Sequence, residues 1–248
     1  MAMIYVKQWG MKRSGTNYLR WILEQNVPEV SVVADIGGWK HSLPSVEWTP
    51  ERDAWWPEGR PKRQKTKAEI AGIFNAWVHG EIRHAVCVKS PLSWIASIAR
   101  RDGFSPRRMT PSTALRYARR WSAGALAYRK FVERVDMAAL VRYEDVYPLE
   151  RGSLTALCDL LALRAPNAKL KAPTMRLKNT SDLESGKSAL TAERFRTGYY
   201  ENALFEDELA HVRDVIEGAI DAETMVRFGY GTIDLMKAQM ERDMGLAT

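Results

Sequence analysis

Residues 10–17 read GMKRSGTN, and the two glycines of this stretch decide how the start of the chain folds. Their spacing, G-x-x-x-x-G, matches loops that cradle a phosphate group with backbone N–H groups at the start of a helix. In nucleoside-triphosphate loops, a lysine that reaches the β- and γ-phosphates and a hydroxyl residue that binds Mg²⁺ follow the second glycine. Here a threonine and an asparagine stand there, and the cations Lys12 and Arg13 lie upstream. The stretch therefore predicts a phosphate-binding loop for a nucleotide whose reactive group is not a γ-phosphate.

The chain around this loop alternates short apolar runs, typical of buried strands, with stretches of helical periodicity. Ser90 and Pro91 form a clear helix start, an N-cap followed by proline at the first helical position. Strands that alternate with helices form a parallel sheet, and right-handed crossovers place the first loop at its carboxyl edge. The predicted fold is therefore α/β, a three-layer sandwich with a central parallel sheet, of the P-loop nucleotide-binding type. We expect strands at 3–8, 30–34, 84–89 and 137–141, helices at 16–25, 67–78, from 91 onward, 112–135, 148–163 and 203–227, and irregular segments at 37–63 and 174–200.

The composition, 248 residues with 46% hydrophobic and 27% charged, fits a single ordinary domain. We expect residues 1–230 to form its core and residues 231–248 to be a frayed tail. No apolar stretch reaches the length of about 18 residues that a membrane span needs, and the N-terminus lacks the features of a signal peptide. Cys87 and Cys158 lie in apolar surroundings, which favours reduced core cysteines over a disulfide and predicts a cytoplasmic location.

The net charge of +7 favours anionic partners: nucleotides, sulfated or phosphorylated substrates, nucleic acid or an acidic membrane surface. The densest basic cluster, residues 60–67 (RPKRQKTK), lies in a proline-containing stretch. Runs of like charge are usually solvated, so we interpret this cluster as a surface loop and expect no nucleic-acid partner.

Three motifs follow one another in the strand–turn–helix contexts just described. The first is residues 13–19, RSGTNYL. The second is residues 89–91, KSP, with Ser97 eight positions beyond the lysine, and the third is residues 142–146, RYEDV, after a strand. Together they resemble the 5′-phosphosulfate loop, the 3′-phosphate site and the Y-E-D signature of the P-loop sulfotransferases, which use 3′-phosphoadenosine-5′-phosphosulfate (PAPS). The resemblance covers roughly residues 5–146.

This resemblance implies in-line transfer of a sulfuryl group from PAPS to a hydroxyl or amine of a small-molecule or glycan acceptor. It leaves 3′-phosphoadenosine-5′-phosphate (PAP) as the product and implies no catalytic metal. Arg13 matches the catalytic cation that stabilises charge on the leaving phosphate oxygen, and Lys12 takes this role if the register is shifted by one residue. The residues that the resemblance assigns to the 5′-phosphosulfate are Lys12, Arg13, Ser14, Gly15, Thr16 and Asn17.

The same resemblance implies that Lys89 and Ser97 bind the 3′-phosphate. Lysine replaces the usual arginine at position 89, which keeps the charge and loses the bidentate fork. A late basic segment that closes over the 3′-phosphate in the family is best matched by residues 194–198, RFRTG, with Arg196 and Gly198 as the binding residues.

The resemblance also assigns two aromatic residues to the adenine, Tyr18 as a stacking partner and Tyr143 as a nearby contact. For each, the alternative is a core aromatic residue of a helix or a strand end. Glu144 and Asp145 are expected to be structural, with Asp145 bonding the backbone near the next helix.

The general base is expected to be one of the four histidines, because imidazole titrates near neutral pH. His41 lies in residues 38–44, GWKHSLP, which is similar to the K-T-H-L-P segment that carries the base in cytosolic sulfotransferases. That segment usually comes later in the chain. His41 is therefore the predicted base, with a structural or binding role as the alternative, and Asp35 is the substitute candidate. The other histidines are His79, His84 and His211.

Four tryptophans crowd the irregular segment that contains His41, which fits either an acceptor pocket or the packing of a loop. Two other functions remain open alongside the sulfotransferase: a nucleotide kinase or NTPase with a degenerate P-loop, and a non-catalytic basic module that binds nucleotides or polyanions. The acceptor and the oligomeric state are not indicated by the sequence. The tryptophans are Trp39, Trp48, Trp55 and Trp56.

Overall fold

A four-stranded parallel sheet forms the centre of the protein in the computed structural model, which describes residues 2–47, 66–147, 149–172 and 208–230. The strand order is β2-β1-β3-β4. In register, Ile4 pairs with Val30, Gly10 with Cys87, and His84 with Ala138. The strands are β1 Ile4–Gly10, β2 Val30–Val33, β3 Arg83–Val88 and β4 Ala138–Arg142.

Helices cover both faces of this sheet, as the alternation of strands and helices predicts. Because side chains alternate along a strand, Cys87 faces one cluster of apolar side chains and its neighbours Val86 and Val88 face another. The predicted α/β class is confirmed, and the arrangement is compatible with a three-layer sandwich. The helices are α1 Thr16–Asn26, α2 Lys67–Val78, α3 Pro91–Arg101, α4 Pro111–Val132, α5 Tyr143–Val146, α6 Arg151–Leu160, α7 Arg213–Glu217 and α8 Ala222–Arg227, with single 3-10 turns at Pro106–Arg108 and Ala210–Val212.

The two helical layers differ in which elements they contain. On the Cys87 face, α1 and α6 pack through residues such as Leu19, Ile22 and Leu157. On the other face, α3 and α4 pack against Trp9 of β1, and α2 adds a smaller cluster around Ile73. This division follows from right-handed crossovers, because the chain moves one way from β1 to β2 and the opposite way from β2 to β3 and on to β4.

Local signals set several of the helix starts. Thr66 and Glu69 form a reciprocal capping box at α2, and Thr110 accepts a hydrogen bond from the amide of Thr113 at α4. The predicted range 67–78 is confirmed to the residue. Ser90 is at the N-cap position of α3 as predicted, although its side chain makes no capping bond there.

The expectation of one helix over 203–227 is wrong for residues 208–230. This part contains the 3-10 turn, α7 and α8 in succession. Helix α7 ends at Glu217 with Gly218 as its C-cap, and the Asp221 side chain accepts from the amide of Thr224 at 2.8 Å, which caps a new helix. The predicted helix at 148–163 is shorter than expected and runs from Arg151 to Leu160. Residues 174–200 and the tail 231–248 lie outside the described residues.

The two cysteines are free and fully buried, as predicted. Burial raises the pKa of the Cys87 thiol to about 12 and that of Cys158 to about 11, so both are protonated at neutral pH. No helix within the described ranges is long and apolar enough to cross a membrane.

Candidate functional site

The loops that follow β1 and β3 meet at one crevice. These strands are neighbours in the sheet, and the chain leaves them in opposite directions, toward β2 and toward β4. Such a reversal in strand order opens a cleft at the carboxyl ends of the strands, where open parallel sheets bind ligands. The predicted phosphate loop and the segment that begins at Lys89 therefore lie side by side.

The loop of residues 10–17, called the phosphate loop here for its predicted role, has a backbone shape that is typical of anion-binding turns. Arg13 and Gly15 have φ angles of 73° and 93°, and the amide of Ser14 donates to the carbonyl of Met11 at 3.1 Å. Gly15 is the N-cap of α1, and no side chain makes a capping hydrogen bond at this helix start. Residues that alternate between positive and negative φ angles directly before a helix start point their N–H groups inward and favour a bound anion.

Gly15 is required because the ring of Tyr143 packs directly against it. A Cβ atom on Gly15 would lie 2.1 Å from Cδ2 of Tyr143. Tyr143 is itself buried, and the ammonium of Lys89 lies 5.0 Å from the centre of its ring. Tyr143 thus packs against the loop from within the core, which fits the alternative of a core tyrosine at a strand end.

Tyr18 also lies in the core. It is buried, its hydroxyl donates to the carbonyl of Tyr147 at 2.8 Å, and its ring meets that of Tyr143 edge to face. This placement fits the alternative of a core aromatic residue, because a ring enclosed in this way offers no open face to an adenine.

Arg13 and Ser97 are in direct contact although they lie 84 residues apart. The Nε–H group of Arg13 donates to Oγ of Ser97 at 3.1 Å. Ser97 is half-buried on α3, so this bond joins the phosphate loop to the helix that was predicted to hold the 3′-phosphate. The structure therefore brings together residues from the first two motifs.

Lys89 lies deeper than a surface phosphate ligand, with only 3% of its surface exposed. Burial lowers the pKa of its ammonium to about 7, against the attraction of Glu144, which raises it. An anion beside this lysine would favour the charged form in the same way as Glu144 does. The site thus holds a cation whose charge depends on what binds next to it.

Glu144 connects the third motif to the second. Its carboxylate accepts from the amide of Ser90 at 2.9 Å and from the hydroxyl of Tyr230 at 2.8 Å. Asp145 was expected to bond backbone near the next helix, and among the described residues it pairs with the guanidinium of Arg142. The two residues are three positions apart at the start of α5, which brings their side chains together.

His41 is held against the first residue of the phosphate loop. Its Nδ1 atom lies 2.7 Å from the carbonyl oxygen of Gly10, and the amide of Gly10 donates to the carbonyl of Lys40 at 2.9 Å. A carbonyl oxygen only accepts, so Nδ1 must carry the proton, and the neutral ring keeps its lone pair on Nε2. This is the tautomer that a general base requires.

The electrostatics around His41 favour the neutral ring. Burial lowers its pKa to about 4, the bond to Gly10 opposes this, and the charges of Lys40, Lys12 and Arg101 lower the pKa further. The imidazole is therefore unprotonated throughout the neutral range. A pKa this low makes it a weaker base than an ordinary histidine until an anion binds nearby.

Lys40 contacts the first turn of α1, a position for which the sequence motifs predicted no role. Its ammonium donates to Oδ1 of Asn17 in the first turn of α1, and burial lowers its pKa while Asp35 raises it. Its position directly before His41 was the available signal. Lys12, by contrast, places its ammonium 4.8 Å from the ring centre of Trp39, a ring that also meets the imidazole of His41 at nearly a right angle.

Ser14 and Thr16 are buried in the loop. The carbonyl of Ser14 accepts from the thiol of Cys87, and its hydroxyl lies against Gly10 without a hydrogen-bond partner in the part of the chain that the structure describes. An unpartnered buried hydroxyl, an uncapped helix start and nearby cations suit a bound phosphate or sulfate group.

The remaining histidines make local contacts. The buried His84 accepts from the indole of Trp9, His79 contacts the carbonyl of Asn75 within α2, and His211 contacts the carbonyl of Met109. Across the described ranges, no group of three or more potential ligand side chains is placed to hold a metal ion. The predicted residues Arg196 and Gly198, and also Trp48, Trp55 and Trp56, lie outside the described residues.

No protein-family model matches the chain, and a comparison with curated proteins found no match either.

Proposed function

We propose that the protein is a P-loop sulfotransferase that moves a sulfuryl group from PAPS to a hydroxyl or amine acceptor. The observation that carries the proposal is the hydrogen bond between Arg13 and Ser97 at the crevice of the sheet. This bond joins the loop that resembles the 5′-phosphosulfate loop to the helix that resembles the 3′-phosphate site, which supports one adenosine bisphosphate as the shared ligand of both. The triphosphate-specific lysine is absent from this loop, which supports a nucleotide with a different reactive group.

In the proposed reaction, the backbone N–H groups at the start of α1 hold the 5′-phosphate of PAPS. PAPS supplies a sulfuryl group on a good leaving phosphate. The guanidinium of Arg13 stabilises the negative charge that develops on the bridging phosphate oxygen as the S–O bond breaks. Ser97 orients this guanidinium by accepting from its Nε–H group.

His41 performs the proton transfer in this proposal. Its Nε2 lone pair takes the proton from the acceptor hydroxyl while the acceptor oxygen forms a bond to sulfur. The Nδ1 bond to Gly10 fixes the ring next to the loop. The positive field of Lys40, Lys12 and Arg101 stabilises the anionic sulfuryl group and any negative charge on the acceptor.

The test is calorimetric binding of PAP together with turnover of PAPS in the absence of added metal. We expect PAP to bind and to raise the melting temperature by mass action, and Arg13→Ala to remove turnover. Arg134→Ala, an exposed arginine beyond the end of α4, is the matched control and should leave both unchanged. No thermal shift at high PAP concentration would contradict the proposal.

Two results would favour the other functions. Mg²⁺-dependent ATP turnover that is lost in Arg13→Ala would indicate a kinase or NTPase. A polyanion affinity that falls steeply with salt and is unchanged by His41→Ala would indicate a non-catalytic basic module.

A further inference from the structure

Lys7 is a charged residue in the core of the sheet, with none of its surface exposed. It lies on β1, and its Nζ donates to the carbonyl oxygens of Ala34 at 3.0 Å and of Gly38 at 2.5 Å. The same ammonium lies 4.4 Å from the centre of the Trp9 ring. One buried cation therefore gathers two carbonyl groups from the segment that leads from β2 to His41.

The backbone of that segment is shaped around the ammonium. Gly37 and Gly38 have φ angles of 73° and 107°, a region that glycine enters at little cost. A Cβ atom added to Gly38 would lie 3.6 Å from Cη2 of Trp9, so the segment packs against the tryptophan ring. Beyond Gly38 the chain reaches Lys40, whose carbonyl accepts from the amide of Gly10.

Trp9 is in turn held in place by His84. Its indole N–H donates to Nδ1 of the buried His84 at 3.1 Å, and the planes of the two rings lie within 9° of each other. Lys7, Trp9 and the carbonyl groups of 34–38 thus form one connected buried network. Such networks rigidify the groups that they join when every member is satisfied.

Stability alone does not account for a lysine at this place. Burying an ammonium carries a desolvation penalty that an apolar residue of similar size would avoid. A buried cation is favoured where its directional bonds fix a backbone conformation, and here the fixed backbone is the one that precedes His41.

We propose that Lys7 is a positioning residue for the proposed base. By binding the carbonyl groups of Ala34 and Gly38, it sets the path of the chain so that His41 meets Gly10. The proposal rests on the proposed function in one respect, since it takes His41 to be the base. The anchoring of the segment by Lys7 stands independently and has its own readout.

The main test compares Lys7→Met, which keeps the volume and removes the donors, with Lys7→Arg, which keeps the charge. Amide hydrogen exchange is measured along the chain, with PAP affinity and PAPS turnover. For Lys7→Met we expect exchange at residues 36–42 to rise by about tenfold or more relative to the rest of the sheet. Turnover should fall by about 10²-fold with PAP affinity kept, since a small misplacement of a reacting group has an effect of that size. Lys7→Arg should recover part of both.

A pH profile separates positioning from simple loss of stability. Loosening the segment exposes His41 to water and separates it from Lys12 and Arg101, so the acid limb of kcat/KM should move up from about 4 toward the ordinary histidine value of 6.5. Leu23→Ala in α1, a buried core residue away from the segment, is the control for lost stability and should leave the acid limb in place.

If Lys7→Met does not fold, Gly38→Ala tests the anchoring of the segment instead. It strains the backbone that presents the Gly38 carbonyl and leaves Lys7 intact, and Gly80→Ala, at φ 68° in open space, is its control. Faster exchange confined to residues 36–42 in Gly38→Ala supports the proposal. Exchange in the test variant that rises uniformly, as in Leu23→Ala, or that does not rise at all, overturns it. Confined exchange in the variants, combined with no PAPS turnover by the unmodified protein, would mean that the anchoring is right and the proposed function is wrong.

Discussion

The guanidinium of Arg13 and the hydroxyl of Ser97 are joined by a hydrogen bond of 3.1 Å between the phosphate loop and α3. A double-mutant cycle on this pair, read as PAP affinity, tests whether they act together. We expect Ser97→Ala to weaken binding by about tenfold and Arg13→Ala by more, with a coupling of about 1 kcal/mol, because a hydrogen bond to a charged group is lost in either case. Ser93→Ala is the control, a buried serine on the same helix whose hydroxyl has no partner within the described part of the chain. Additive effects would show that the two residues contact the ligand separately.

His41→Gln removes the proposed base. We expect turnover to fall by about 10²-fold while PAP affinity is largely retained, in line with the contribution of a general base. Because burial lowers the pKa of His41 to about 4, the acid limb of kcat/KM in the unmodified protein should lie near pH 4, well below the usual histidine value of 6.5. His79→Gln, on the exposed end of α2, is the matched control. A loss of PAP affinity with an unchanged rate per bound protein would assign His41 to binding.

PAP affinity should depend on pH through Lys89, whose pKa burial lowers to about 7. Above that pH the lysine of the free protein is neutral, and a bound phosphate restores its charge, so binding takes up a proton. Affinity should therefore fall by up to about tenfold for each pH unit above 7. Calorimetry in two buffers of different ionisation enthalpy measures the uptake directly. Lys89→Met should bind more weakly and lose this dependence, whereas the titration of the phosphate itself persists in both proteins.

Gly15→Ala should destabilise the protein through two separable effects. Its φ of 93° is unfavourable for alanine, and its Cβ would overlap the ring of Tyr143. Gly80→Ala shares the positive φ in open space and isolates the first effect, about 1 kcal/mol. Urea denaturation should show Gly15→Ala to cost about 1–3 kcal/mol more than this control. Equal costs would mean that Tyr143 moves aside freely.

His84 should make the protein less stable in acid. Burial lowers its pKa from 6.5 to about 4, so below pH 6.5 the unfolded chain takes up a proton that the folded protein does not. The free energy of unfolding should therefore fall as the pH drops from 6.5 to 4, with a contribution of up to about 3 kcal/mol from this residue. His84→Asn keeps an acceptor for Trp9 and removes the titration, so its denaturation curves should depend less on pH across this window. An unchanged dependence would place the effect elsewhere.

The sequence predicted the elements that carry the site with good accuracy where local signals were strong. The helical pattern predicted α2 to the residue, and the structure shows that Thr66 and Glu69 cap its start; the glycine spacing predicted the turn before α1. The C-terminal part failed, because Gly218 and Asp221 divide what reads as one helical pattern. Short helices packed against a larger core take their ends from tertiary contacts, which periodicity alone does not reveal.

The burial of individual side chains could also not be predicted from local sequence patterns. Tyr18 and Tyr143 were assigned to an adenine with a core role as the alternative, and both are buried. Lys7 and Lys40 were given no role, yet one binds two carbonyl groups and the other binds Asn17. The sequence does not distinguish a lysine that faces solvent from one whose ammonium is buried against backbone carbonyl groups.

The sequence by itself determined the strand–loop–helix unit at residues 4–26 and the alternation that makes the sheet parallel, because glycine spacing, caps and apolar periodicity act between close neighbours in the chain. Only the tertiary structure decided that Arg13 meets Ser97, that His41 meets Gly10 with Nδ1 inward, and that Lys89 is buried beside Tyr143. These contacts join residues far apart in the chain, and they exist because the order β2-β1-β3-β4 and the hand of the crossovers bring the ends of β1 and β3 together.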